Sequence, residues 1–170
     1  MSKRCASAFL ALVLPVIGGC GAGSTTSRAG ALISEREIVS LVNYYRQSRG
    51  LKRLQWDPQL AGVARAHSRA MAEGRRPFSH AGLEMRAQAA SLREPLHEIG
   101  ENLVALQSAS ELGAWRALQA WLKSAGHRAT LEGCYNKTGV GVASSRDGTV
   151  YYTQLFARRP TRSSRDACGA

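Results

Sequence analysis

Polar and apolar residues along this chain follow one period in its first two thirds and another near its end. From Ile38 the apolar positions Leu41, Val42 and Tyr45 recur at helical spacing, behind Ser34-Glu35-Arg36-Glu37, which has the Ser-x-x-Glu form of a capping box. This predicts a first helix that starts at Ser34 and ends at Gly50. Asp57-Pro58 predicts the next start, because the aspartate can accept from the first unpaired N–H groups and proline has no N–H to leave unpaired. Its buried stripe is Leu60, Val63, Ala64, His67, Ala70 and Met71, up to Gly74, and Leu51, Leu54 and Trp56 before it read as a linker packed on the core.

A third helix is predicted around Leu83 to Leu92, and a fourth from about Ser110 to Lys123 with Trp115, Leu118 and Leu122 on one face. Glu98 to Leu106 between them predicts a short strand or extended turn. Past His127 the pattern changes: Gly139 to Ala143 and Val150 to Ala157 are rich in β-branched and aromatic residues, joined across Arg146-Asp147-Gly148, which is a hairpin signal. Helices first and a hairpin last predict an α+β layered fold. No internal repeat interrupts it.

The first residues, MSKRCASAFLALVLPVIGGC, follow a different rule. Lys3 and Arg4 precede an apolar run from Ala8 to Ile17, and small residues then lead to Cys20, the layout of a signal peptide. The run falls short of the ~18 to 20 residues that a spanning helix needs, and Pro15 interrupts it. Ile17-Gly18-Gly19-Cys20 resembles the lipobox of bacterial lipoproteins, which implies acylation of Cys20 and its exposure as the new N-terminus. The domain boundaries expected on this reading are a signal over residues 1–19, a Gly/Ser/Thr-rich flexible tether over 20–32, one folded domain over 33–157 and a basic tail over 158–170.

Export changes the cysteine arithmetic, because Cys5 leaves with the signal and Cys20 takes lipid. Cys134 and Cys168 remain as one pair, either a disulfide that pins the tail in an oxidising compartment or two thiols. The formal charge is +11, and loss of Lys3 and Arg4 leaves 21 basic against 12 acidic residues, or +9. Such a balance favours an anionic envelope polymer or the lipid headgroups of a membrane, and a lipid-like or peptide ligand is expected only of the binding module considered below. It does not predict nucleic-acid binding, since the cations are scattered and not interleaved with stacking rings.

Candidate chemistry sits at element boundaries. His80 follows Pro77-Phe78-Ser79 in a turn, Glu101 lies in Gly100-Glu101-Asn102-Leu103, and His127 follows Ser124-Ala125-Gly126. His67, in mid-stripe, reads as an imidazole satisfied by a neighbouring carbonyl. His97 opens His-Glu-Ile-Gly-Glu, which begins like a zinc-binding helix but carries Glu101 where the second histidine belongs. Gly-x-Ser-x-Gly, phosphate loops and dinucleotide fingerprints are absent.

Eight motifs in order resemble the CAP superfamily of cysteine-rich secretory, antigen five and pathogenesis-related proteins. They are Val42-Asn43-x-x-Arg46, Gly50-Leu51-x-x-Leu54-x-Trp56-Asp57-x-x-Leu60, Ala66-His67-Ser68-x-x-Met71, Phe78-Ser79-His80, Gly100-Glu101-Asn102-Leu103, Trp121-x-x-Ser124-x-x-His127-Arg128, Gly139-Val140-Gly141-Val142 and Tyr152-Thr153-Gln154-x-Phe156. The resemblance spans about Ile33 to Ala157 and implies an α-β-α sandwich around an antiparallel sheet, with a groove lined by two histidines and two glutamates that can bind a divalent metal.

On this resemblance His80, Glu101 and His127 match three of the four groove positions, and Ser124 stands where longer members carry the second glutamate, as in the short bacterial form. Asn102 and Ser124 are expected beside them in the groove. Two imidazoles and a carboxylate are the ligand set of a catalytic zinc with an open position for water. Without metal they form an acid/base pair or a hydrogen-bonded structural network. Two functions follow as expectations: a lipid-anchored envelope binding module that is not an enzyme, or a metal-dependent hydrolase that uses the same three residues.

Overall fold

The computed structural model describes residues 24–107 and 112–160, with side chains from Ser34 onward. Nine elements follow in order: α1 (Ser24–Ser48), β1 (Gln55–Trp56), α2 (Pro58–Ala72), α3 (Leu83–Ser91), β2 (Glu98–Gln107), α4 (Gly113–Lys123), α5 (Ala125–Glu132), β3 (Lys137–Ser144) and β4 (Thr149–Arg158). The sheet order is β1-β3-β4-β2. The long pairings β3 with β4 and β4 with β2 are antiparallel, and the two-residue β1 adds a parallel edge on β3. The sheet is therefore mixed, where antiparallel strands alone were expected.

Side chains alternate across the sheet, and each face has its own core. On one face Val140, Tyr152 and Phe156 meet Ile38 and Val42 of α1, Trp121 of α4 and Leu131 of α5. On the other, Leu155 and Ala157 meet Leu60 and Ala64 of α2 and Ala90 of α3. This is the α-β-α sandwich. Helix α2 lies directly on β3 because Gly139 and Gly141 have no Cβ: one added at either position would stand 2.1 Å from the backbone nitrogen of Ala61 or Arg65.

Asp57 caps α2 as its sequence predicts, accepting from Gln59 N at 2.8 Å and Leu60 N at 3.1 Å. The linker is pinned by Asn43, whose Nδ2 donates to Leu54 O at 2.9 Å while its Oδ1 accepts from Leu54 N at 2.7 Å. Arg46 is buried and, among the described residues, bonds backbone carbonyls, donating to Lys52 O at 2.9 Å, Leu131 O at 2.6 Å and Gly133 O at 3.0 Å. Its burial pulls the guanidinium pKa below the usual arginine value.

Four expectations are corrected. Helix α1 begins at Ser24, so Ser34 is interior and its capping box caps nothing; residues 24–32 of the expected tether are helical, since each added residue of a formed helix gains a hydrogen bond. The buried face of α4 is Ala114, Ala117, Leu118 and Trp121, while Trp115 is 48% exposed. Helix α5 was not anticipated; Ser124 breaks the α4 path and caps the new helix through His127 N at 3.5 Å. The expected basic tail begins inside the domain, because Arg158 ends β4 and Arg159 is buried against Asp57 Oδ2 at 2.8 Å, with Ala90 O at 2.9 Å. Residues 161–170 lie outside the described residues, as do Cys20 and Cys168.

Candidate functional site

The groove residues converge on β2, the edge strand opposite β1. Alternation on β2 sends neighbouring side chains to opposite faces, so Glu101 turns toward α2 and α3 and Asn102 toward α4 and α5. The turn after α2 brings His80 to Glu101, with Nδ1 at 2.9 Å from Oε1. A carboxylate can only accept there, so Nδ1 donates and Nε2 is left for the groove. From the other side, Asn102 Nδ2 donates to His127 O at 3.0 Å, which seats the first turn of α5 on the strand. The rings of His80 and His127 then stand 6.3 Å apart between centroids, with His80 exposed and His127 half-buried.

His80 thus stands between Glu101 beneath it and His127 beside it, and of the three only the two histidines reach solvent. Burial, and then the proximity of His80, lower the pKa of His127 below the ordinary histidine value. Ser124 and Asn102 take different parts from those expected. Asn102 is fully buried beneath the first turn of α5, and Ser124 acts through its helix cap. His97, at the entry to β2, is exposed and bonds through its backbone to Arg158 O at 2.8 Å, so His-Glu-Ile-Gly-Glu forms a strand and no zinc-binding helix.

Arg86 of α3, which the sequence does not single out, holds Glu101 beneath His80. Its Nε donates to Glu101 Oε2 at 2.7 Å and its Nη2 to Glu101 Oε1 at 2.7 Å, a two-pronged grip on a carboxylate whose side chain is 0% exposed. The remaining N–H groups reach His80 O at 3.1 Å, Ala81 O at 3.0 Å and His67 Nδ1 at 3.5 Å. His67 Nε2 lies 3.2 Å from Ser79 O, so it donates and Nδ1 accepts from Arg86, as the neutral ring requires. Burial, with Arg86 next, lowers the His67 pKa. The satisfied core histidine expected from the stripe is present, and it also ties down the turn that carries His80.

The divalent metal implied by the family resemblance does not fit these side chains as they stand. Both oxygens of Glu101 are taken by a guanidinium, and among the described residues no group of three His, Cys, Asp or Glu is arranged to hold an ion. An aromatic wall adjoins the site instead. Phe78, two residues before His80, is 51% exposed and its ring lies 6.2 Å from that of Tyr151, which pairs with Ala105 of β2 on the Glu101 face.

Comparison with known proteins places this fold in a family. Residues 39–156 match the model of the cysteine-rich secretory protein family, CAP, and the chain belongs to it. Among its relatives, the membrane protein YlbC of Bacillus subtilis (strain 168) is 38% identical over 133 residues, 74% of this chain and 35% of YlbC. YkwD of the same organism is 29% identical over 140 residues, 79% of this chain and 52% of that protein. The chain thus spans from about a third to half of the length of these relatives. An extracellular protein containing a SCP domain from Bacillus anthracis str. Ames superposes with a TM-score of 0.69 at 30% identity, over 83% of this chain and 45% of the other. A cysteine-rich secretory protein from Staphylococcus aureus shares the fold, with a TM-score of 0.59 at 20% identity over 76% of this chain and 39% of that one.

Proposed function

We propose that this CAP domain is an exported, lipid-anchored binding module of a bacterial envelope, whose groove takes a lipid-like molecule, a peptide or a cell-wall fragment. The observation that carries the reading is the pairing of His80 and His127, 6.3 Å apart at a solvent-reached edge, with the Phe78–Tyr151 wall nearby. A few convergent polar groups beside aromatic surface are what orient a ligand that is partly apolar. Export is supported by the N-terminal segment and by the extracellular Bacillus anthracis relative. Cys20 carries the lipid on this reading, a Cys134–Cys168 disulfide ties the tail to the domain, and the outer membrane is the destination in a host with two membranes. Among the described residues no helix is long and apolar enough to cross a membrane.

Titration of the purified chain with muropeptides, envelope peptides and phospholipid micelles, read by the ring signals of His80 and His127, tests the groove. One class is expected to shift both rings, and the shift is expected to disappear in His80→Ala/His127→Ala. Failure of all three classes to move either ring would remove the binding reading. Mass spectrometry of the membrane fraction tests the anchor, since an unmodified Cys20 on a mature chain would refute it.

A second reading, hydrolysis, keeps one observation in its favour: His80 Nδ1 is oriented by Glu101 at 2.9 Å, as a general base would be. The grip of Arg86 on that carboxylate opposes the metal-dependent form of this reaction. Turnover of a peptide and ester panel, lost in His80→Ala, would favour hydrolysis over binding.

A further inference from the structure

We infer that Arg86 is the resident cation of the groove: its guanidinium takes the place on Glu101 that a divalent metal would need, so His80, Glu101 and His127 take up no such metal while Arg86 is present. The inference does not depend on which ligand the groove accepts.

Three donors already hold Glu101, two of them from a charged guanidinium. Glu101 has two oxygens, each within 2.7 Å of a different nitrogen of Arg86, and Oε1 also accepts from His80 Nδ1 at 2.9 Å. A metal bound to Oε1 would have to displace both a charged donor and the histidine that should be its second ligand. Withdrawal of Arg86 is resisted from the other end, because its outer nitrogens hold the carbonyls of His80 and Ala81 and its side chain is 11% exposed. The same side chain therefore fixes the turn that presents His80. An incoming dication would also sit a few ångströms from a fixed positive charge, a repulsion large enough to weaken binding roughly a hundredfold or more.

Arg86 is thus a positioning residue: it neutralises the floor of the groove and aims His80, and it spends its own donors on protein atoms. What reaches a ligand is the outer nitrogen of His80 and the ring of His127.

The test compares the purified full chain with its Arg86→Gln variant in zinc titration calorimetry at neutral pH, with thermal melting in parallel. The native chain is expected to show no saturable zinc uptake in the micromolar range and no zinc-dependent change in melting temperature. Arg86→Gln is expected to bind zinc roughly a hundredfold or more tightly than the native chain, to melt at a higher temperature when zinc is present, and to lose both gains when His127→Ala is added. Equal zinc affinity in the native chain and the variant would overturn the inference, as would a folded variant with no gain. Should Arg86→Gln fail to fold, the ring signals of His80 and His127 in the native chain decide. Silence up to millimolar zinc is expected, and a stoichiometric shift would overturn the inference.

Discussion

Glu35 and Glu101 each bury a carboxylate, with side chains 1% and 0% exposed, under a forked arginine: Arg65 of α2 for the first and Arg86 of α3 for the second. Around Glu35 the fork closes on itself. Arg65 Nε stands 2.8 Å from Oε1, Arg65 Nη2 stands 2.5 Å from Oε2, and the ring of Trp56 lies beneath Arg36 at 3.9 Å and Arg65 at 5.9 Å. Both oxygens of Glu35 are spent on Arg65, and the pair braces α1 against α2. Around Glu101 the third partner is an imidazole with one nitrogen bound and the other turned outward. The same pair is a brace in one place and the seat of an exposed histidine in the other, and the difference lies in what the third side chain leaves unspent.

The comparison breaks most strongly at the carboxylates. Glu101→Gln leaves Arg86 buried beside a neutral group and is expected to cost about 3 to 5 kcal/mol by urea unfolding, with loss of the fixed His80 orientation in the ring signals. Glu35→Gln is expected to cost less, about 2 kcal/mol in the same measurement, because Arg65 is 33% exposed and can turn to water. A loss at Glu35 equal to that at Glu101 would remove the distinction between the two forks.

Acid sharpens the comparison further. His67 and His127 have folded pKa values below the ordinary 6.5, so between those lower values and 6.5 the unfolded chain binds more protons. Stability is therefore fully present above about pH 6.5 and is lost as pH falls through the folded values. Urea midpoints measured from neutral to acid pH are expected to fall, less in His67→Gln, while Glu35→Gln leaves this acid loss unchanged. The smallest stability effect belongs to His80→Ala, expected within about 0.5 kcal/mol because the ring is exposed, although ligand-dependent shifts disappear. A large destabilisation there would mean that His80 is itself a brace.

Much of the scaffold was legible beforehand because its signals are local. Asp57-Pro58 marks a helix start wherever it packs, and Arg146-Asp147-Gly148 turns a hairpin, with Gly148 at φ 86°. His80, Glu101 and His127 were found by motif order, and they do converge. Other features gave no local sign. Helix α5 was missed because eight residues after a helix end read as more of the same until Ser124 is seen to cap. Trp115 and Trp121 look alike in a stripe, and only the position of α1 decides that Trp121 is the buried one. Arg86 is the one arginine of α3, and nothing in its neighbours names Glu101 as its partner.

The sequence by itself determined the layered α+β plan, the membership of the CAP family and the motif order that singles out His80, Glu101 and His127, because periodicity, caps and ordered motifs act over a few residues at a time. Only the tertiary structure decided what charge those side chains face. That outcome depends on which helix lies over the edge strand and which cation it lowers onto the carboxylate, and a pairing between residues 86 and 101 exists only after the chain has folded.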